Sequence, residues 1–193
     1  MAGHARFTAL LDACVVHPVA VVDSLMSVYM CGLFAPKWTT RIEQEWIGSL
    51  ARERGLAPET LHGRRDKMRK AVPDWEVPEA AWTKVVHGLT LPDPDDVHVL
   101  AAAVAGHADC IVTFNLRHFP AEALMPFGIE AIHPDEFLIA QLDLDPLSVL
   151  AAFKDQRARL KNPDMSAPQF TDALERNRLV ATAQRLRDAA ELI

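Results

Sequence analysis

Along the chain, short unbroken apolar runs alternate with stretches in which apolar residues recur every three or four positions. Phe7-Thr8-Ala9-Leu10-Leu11 is an apolar run closed by Asp12, which predicts a strand buried on both faces rather than a helix of such length. Between 19 and 33, Val22, Leu25, Met26, Tyr29 and Leu33 fall at helical spacing, and Gly32 ends that segment near Pro36. Thr39 or Thr40 is then expected to cap a second helix running through Glu45, Trp46 and Leu50. Residues 58 to 82 predict one or two more helices, interrupted by Pro73 and Pro78, and Val85-Val86 is expected to open a second short strand. In Leu91-Pro92-Asp93-Pro94-Asp95-Asp96, Asp93 has the character of a helix N-cap and Pro94 of a first helical residue. Val97, Leu100, Ala101, Val104 and Ala108 continue that helix. Two further apolar runs, residues 110 to 115 and 129 to 132, predict strands, the first ending in Asn115.

Strands alternating with helices specify an α/β fold, a parallel sheet with helices on both faces. Beyond Pro134 the pattern is helical throughout: 134 to 142, 146 to 160 and, after Asn162-Pro163, a pair over about 167 to 192. Phe170, Leu174, Leu179, Ala183, Leu186 and Ala190 mark apolar stripes there, which predict packing on the sheet domain or on a partner. The expected division is a sheet domain over 1–142 and a helical extension over 143–193.

Composition narrows the classes. The 193 residues are 50% hydrophobic and 24% charged, which suits a globular domain with an appendage and a core needing no staple. Cys14, Cys31 and Cys110 are an odd, dispersed set, unlike a disulfide framework, and point to a reducing, cytoplasmic setting. His4, Arg6, Asp12 and His17 interrupt the first twenty residues, so no signal-peptide core is expected there. No window reaches ~18 uninterrupted apolar residues, which argues against a membrane span. A net charge of −6 excludes a general basic coat for nucleic acid. A polyanion partner would need a local patch. Residues 52 to 70 offer Arg52, Arg54, Arg64, Arg65, Lys67, Arg69 and Lys70, of which the last five are candidates for phosphate contact; the simpler reading is a solvated helix face. The glycines are scattered singly, and neither a dinucleotide fingerprint nor a phosphate loop can be written.

In an open parallel sheet the carboxyl ends of the strands share one crevice. Asp12 and Asn115 end strands, the loop at 91 to 96 brings Asp93, Asp95 and Asp96 to the same edge, and Glu45 joins them if its helix passes the crevice. Carboxylates crowded into one cleft repel unless a cation lies between them. Hard oxygen ligands without a cysteine set favour Mg²⁺ or Mn²⁺ over zinc. Each residue alone has a simpler explanation. Acids in a helix's first turn are stabilised by free N–H groups, Glu45 could face solvent, and Asn115 could make a turn. Asp12 is harder to set aside, since a buried carboxylate needs a partner.

Taken together and in order, Leu-Leu-Asp12-Ala-Cys-Val-Val, Trp38-Thr-Thr-Arg-Ile-Glu-Gln-Glu45-Trp, Leu-Pro-Asp93-Pro-Asp95-Asp96-Val-His98 and Ile-Val-Thr113-Phe-Asn115-Leu-Arg-His118-Phe119-Pro resemble the PIN domain. The resemblance is narrowest to the branch of VapC-type toxins, whose helical extension the tail also resembles. It implies a PIN-like, Rossmann-like parallel sheet of about five strands. It also implies a metal-dependent endoribonuclease using Mg²⁺ or Mn²⁺, the toxin of a type II toxin–antitoxin pair, with RNA as substrate, a small antitoxin as partner and a homodimer as assembly. By this resemblance Asp12 matches the first acidic ligand, Glu45 the acid of the following helix, and Asp96 the third, with Asp93 and Asp95 as rivals. Asn115 falls where many PIN domains carry a fourth Asp. Thr113 is expected to shape the site by hydrogen bonds, and His98 and His118 to serve packing or hydrogen bonding. Two other classes stand beside this one. The first is a catalytically weak PIN-like RNA-binding or regulatory module, suggested by the amide at Asn115. The second is an unrelated phosphotransferase, disfavoured because Ala13-Cys14-Val15-Val16 follows Asp12 in place of a second Asp or a glycine loop.

Overall fold

The structure is a computed structural model that describes residues 7–161 and 164–193; the Asn162-Pro163 break and the charged residues at 4 and 6 lie outside them. The chain folds as two compact units, one comprising the residues up to His17 with Phe34–Ile132, the other Pro18–Leu33 with His133–Ile193.

The first unit is built on a four-stranded parallel sheet in the order β2-β1-β3-β4. Strand β1 (Phe7–Leu11) is the apolar run that ends at Asp12, and Ala9, Leu10 and Leu11 have no exposed surface. It pairs on one side with β2 (Phe34–Lys37), Ala9 opposite Pro36, and on the other with β3 (Cys110–Val112), Leu11 opposite Val112. Strand β4 (Glu130–Ile132) closes the far side, with Val112 opposite Ile132. The unbroken burial of Ala9–Leu11 in β1 and of all of β3 is what central parallel strands require.

The sheet has four strands among the described residues where about five were expected. The nearest approach to a fifth is an isolated parallel bridge between Trp38 and Glu76, in which Trp38 N donates to Trp75 O at 2.9 Å and Val77 N donates to Trp38 O at 3.0 Å. Two other expectations are corrected. Val85-Val86 does not open a strand but ends a helix over Glu79–Val86, since Trp82, Val85 and Val86 fall on helical spacing and only Trp82 is buried. Phe34–Lys37, where Pro36 suggested a helix stop and no strand, forms β2; it holds the outer place in the sheet, where a proline's missing N–H costs least.

Of the helices that flank this sheet, α1 (Ala13–Val16) follows Asp12 directly. Helix α3 (Thr40–Arg54) starts where Thr39 Oγ1 accepts from Ile42 N at 3.1 Å and ends at Gly55, whose φ of 63° suits a residue without Cβ. It buries Ile42, Trp46, Ile47, Leu50 and Ala51. Beyond it come α4 (His62–Ala71) and α5 (Glu79–Val86). Helix α6 (Val97–Ala105) begins after the Asp93-Pro94 turn, where Asp93 Oδ1 accepts from Asp95 N at 3.0 Å as the N-cap chemistry predicts. Its Ala101, Ala102 and Ala103 are fully buried, and the helix packs on β1 and β3. At the end of α6 a Cβ on Gly106 would lie 2.7 Å from Val77 Cγ2 and 2.9 Å from Ala102 O, so only glycine allows this approach. A short helix, α7 (Ala121–Leu124), precedes β4.

The second unit is all helical: α2 (Val19–Tyr29), α8 (Pro134–Leu144), α9 (Pro146–Arg159), α10 (Ala167–Arg176) and α11 (Val180–Asp188). Ser24 and Gln156 pair their side chains between α2 and α9. Phe153 and Phe170 meet at 6.5 Å. The buried Asp135 carboxylate accepts from Ala181 N and Thr182 N, both at 2.8 Å, satisfying free donors at the start of α11. Among the described residues no helix is long and apolar enough to cross a membrane.

Candidate active site

A cleft of about 410 Å³ in the first unit is lined by Asp12, Cys14, Glu45, Asp96 and Asn115, together with Ala13, His17, Trp46, Ser49 and Glu53. The four oxygen-bearing residues singled out from sequence thus come from the end of β1, the middle of α3, the start of α6 and the turn after β3.

Asp12 is 4% exposed. It occupies the N-cap position of α1 without using its side chain as a cap. Its Oδ2 instead accepts from Thr113 Oγ1 at 2.7 Å and from Cys14 Sγ at 3.0 Å. Thr113, fully buried, also accepts from Asn115 N at 2.9 Å, so one hydroxyl fixes both the carboxylate and the turn that carries Asn115. Burial, and after it the charge of Asp12, push the Cys14 thiol up to about 12. Cys14 therefore stays a hydrogen-bond donor at neutral pH, not a thiolate.

Asp96 lies opposite. Burial pushes its carboxyl above the ordinary aspartate value, and the charges of Asp12 and Asp93 act in the same direction. His118 opposes this, with Nδ1 2.6 Å from Asp96 Oδ2 and 3.7 Å from Asp93 Oδ2. One ligand atom each from Asp93, Asp96 and His118 can be chosen within 4.8 Å of one another. Asp93 is thus near the centre through His118. Asp95 is exposed, contributes its backbone N to the Asp93 cap, and does not line the cleft. Glu45 reaches the cleft with its side chain 36% exposed. Its Oε1 receives Arg41 Nε at 3.2 Å and His98 Nε2 at 2.8 Å. His118 Nδ1 hydrogen-bonds Asp96, and His98 Nε2 makes a close polar contact with Glu45.

The basic segment is less free than its composition suggests. Arg64 lies over the Trp46 ring at 4.6 Å and donates to the carbonyls of Val16 and His17. Arg69 lies over Trp75 at 4.6 Å and forms a double hydrogen bond with Glu43. Arg65 pairs with its neighbour Asp66. Lys67 and Lys70 are exposed. Glu43 itself, 3% exposed, is not singled out by the sequence pattern. Its partners Trp38 and Arg69 lie five and 26 residues away, and only the first is near enough to give a local signal.

A family model described as the PIN domain matches residues 8–117, and one described as the VapC50 C-terminal domain matches residues 134–188. Over 141 residues, 66% of this chain and 79% of the relative, the sequence is 37% identical to the Mycobacterium tuberculosis protein named "Putative ribonuclease VapC50". No solved structure matches the chain.

Proposed function

The chain belongs to the PIN domain family, and from that premise we propose that it is a divalent-metal-dependent endoribonuclease, the toxin of a type II toxin–antitoxin pair. The observation that carries this reading is the meeting in one cleft of Asp12, Glu45, Asp96 and Asn115, four oxygen donors from four separate segments. The donor set fits a hard cation. Its oxygens suit Mg²⁺ or Mn²⁺; Asp96 is pushed up first by burial and then by the charges of Asp12 and Asp93, a crowding that a cation between the carboxylates would relieve.

In this reading Asp12 and Asp96 hold the metal, Glu45 ligates directly or through water, and Asn115 adds an amide oxygen. When bound, the metal lowers the pKa of a coordinated water and neutralises charge on the phosphate oxygens. The chain's own groups prepare the cleft for this. Thr113 and Cys14 hold Asp12 by its Oδ2, His118 holds Asp96 by its Oδ2, and Arg41 and His98 hold Glu45 by its Oε1. Such positioning matters because small errors in the placement of reacting groups cost large factors in rate. Of the five candidates for phosphate contact, Lys67 and Lys70 are the exposed ones and would meet RNA phosphates, a contact that weakens with salt. A small antitoxin, a second copy of the chain and a cytoplasmic setting complete the proposal.

The test is cleavage of a mixed-sequence single-stranded RNA with Mn²⁺, with Mg²⁺ and with EDTA, alongside Asp12→Asn purified identically. The expected result is metal-dependent cutting that falls by at least about a hundredfold in the mutant. RNA retained on a filter but cut by neither protein would instead favour the binding module, with Asn115→Asp as the next variant to assay.

A further inference from the structure

One polar contact in the cleft is built more heavily than a packing role requires. His98 is 3% exposed on α6, two residues beyond Asp96, with its ring 6.1 Å from that of Trp82. Its Nε2 lies 2.8 Å from Glu45 Oε1. Its Nδ1 is buried without a hydrogen-bond partner among the described residues. A carboxylate oxygen only accepts, so the ring hydrogen belongs on Nε2. A hydrogen on Nδ1 would be buried facing no acceptor. A phenylalanine would take a similar volume beside Trp82 without an orphaned nitrogen. The imidazole is therefore explained by what its other nitrogen does to Glu45.

Arg41 donates to the same Oε1, one turn earlier on α3. That arginine is 45% exposed and held only by an i,i+4 contact, so on its own it restrains Glu45 weakly. His98 is buried beside Trp82 of α5, which makes it the more constrained of the pair. With both donors on Oε1, Glu45 Oε2 has no protein partner among the described residues.

We propose that His98 is a positioning residue: its Nε2–H fixes the Glu45 carboxylate by one oxygen so that the other is presented to the cation and water of the cleft. This rests on the metal-dependent reading above. Outer partners that orient a ligating carboxylate are usually worth 10–100-fold in metal affinity or activity.

The experiment compares wild type with His98→Phe, His98→Asn and His98→Gln. Mn²⁺ binding is followed by calorimetry, and kcat and KM are measured on single-stranded RNA. The glutamine amide nitrogen reaches the place of Nε2, whereas that of asparagine reaches only the place of Nδ1. In the phenylalanine and asparagine variants Mn²⁺ affinity and kcat should each fall about 10–100-fold, while KM for RNA stays within about twofold, as for a group that does not bind substrate. His98→Gln should return most of the loss. The proposal is overturned if folded His98→Phe keeps wild-type Mn²⁺ affinity and kcat, if glutamine rescues no better than asparagine, or if the whole effect lies in KM. Should His98→Phe fail to fold, the glutamine and asparagine pair decides alone. A wild type that binds Mn²⁺ but cuts no RNA would defeat the nuclease reading and leave the calorimetric comparison to decide His98. A wild type that binds no Mn²⁺ would defeat both.

Discussion

Helix α3 carries two glutamates two residues apart whose surroundings differ in kind. Glu43 is 3% exposed and fully engaged: its Oε1 accepts from Trp38 Nε1 and Arg69 Nε, both at 3.0 Å, and its Oε2 from a second guanidinium nitrogen. The guanidinium in turn lies over Trp75, which stacks on Trp38 at 5.2 Å. Charge there is balanced within the chain. Glu45 faces a cleft whose other acids are Asp12, Asp96 and Glu53, and the basic side chains lining it or bonded to its acids are His17, Arg41, His98 and His118. A paired and satisfied carboxylate is a structural device. Carboxylates that press against each other across an open cleft, each held by one oxygen, are arranged for a ligand that brings positive charge.

The contrast can be broken first at Glu43. Glu43→Ala strips Arg69 and Trp38 of their acceptor, and the expected cost is about 2 kcal/mol. That is below the 3–5 kcal/mol of a fully buried pair because the Arg69 side chain is 35% exposed. Chemical denaturation measures it, and RNA cleavage per folded molecule should be unchanged. A large loss of cleavage with normal stability would mean that the two glutamates do not divide the work in this way.

A smaller effect of opposite sign is expected at Asp96. Its carboxyl is pushed up in the folded protein, so at neutral pH the charged form opposes folding. The penalty is absent below the unfolded value and grows as pH rises through the folded one. Asp96→Asn should therefore raise the thermal midpoint of the metal-free protein at pH 7, with the advantage narrowing as pH falls through the raised value toward the ordinary aspartate value. If the variant is instead destabilised at pH 7, the contact with His118 outweighs the crowding of the acids.

How much of this could be read from the sequence follows from the range of the interactions. The strand at 7–11 and its terminal Asp12 were legible because the run is apolar on both faces and a carboxylate breaks it. The Asp93-Pro94 helix start was legible because capping is local chemistry. Strand β2 was not, since Pro36 is a breaker everywhere except at a sheet edge, and edge position is set by partners far along the chain. Val85-Val86 misled because two β-branched residues without context favour a strand, whereas Trp82 ties them to a helix. At the site, the four cleft residues emerged from their order along the whole chain. The roles of Arg64 and Arg69 did not, because their partners at 16, 17 and 43 lie dozens of residues away. The two histidines could be marked for packing or hydrogen bonding, but the carboxylates they contact could not be assigned without the fold.

The central claim is that the cleft acids, and not the buried and paired Glu43, hold a divalent cation. It is tested most directly by the thermal midpoint against Mn²⁺ concentration for wild type, Asp12→Asn and Glu43→Ala. Wild type and Glu43→Ala should each gain stability with the same midpoint in metal, ~2.7 kcal/mol at a free concentration 100 times the dissociation constant, while Asp12→Asn gains little. An Asp12→Asn protein that gains as much as wild type would contradict the claim.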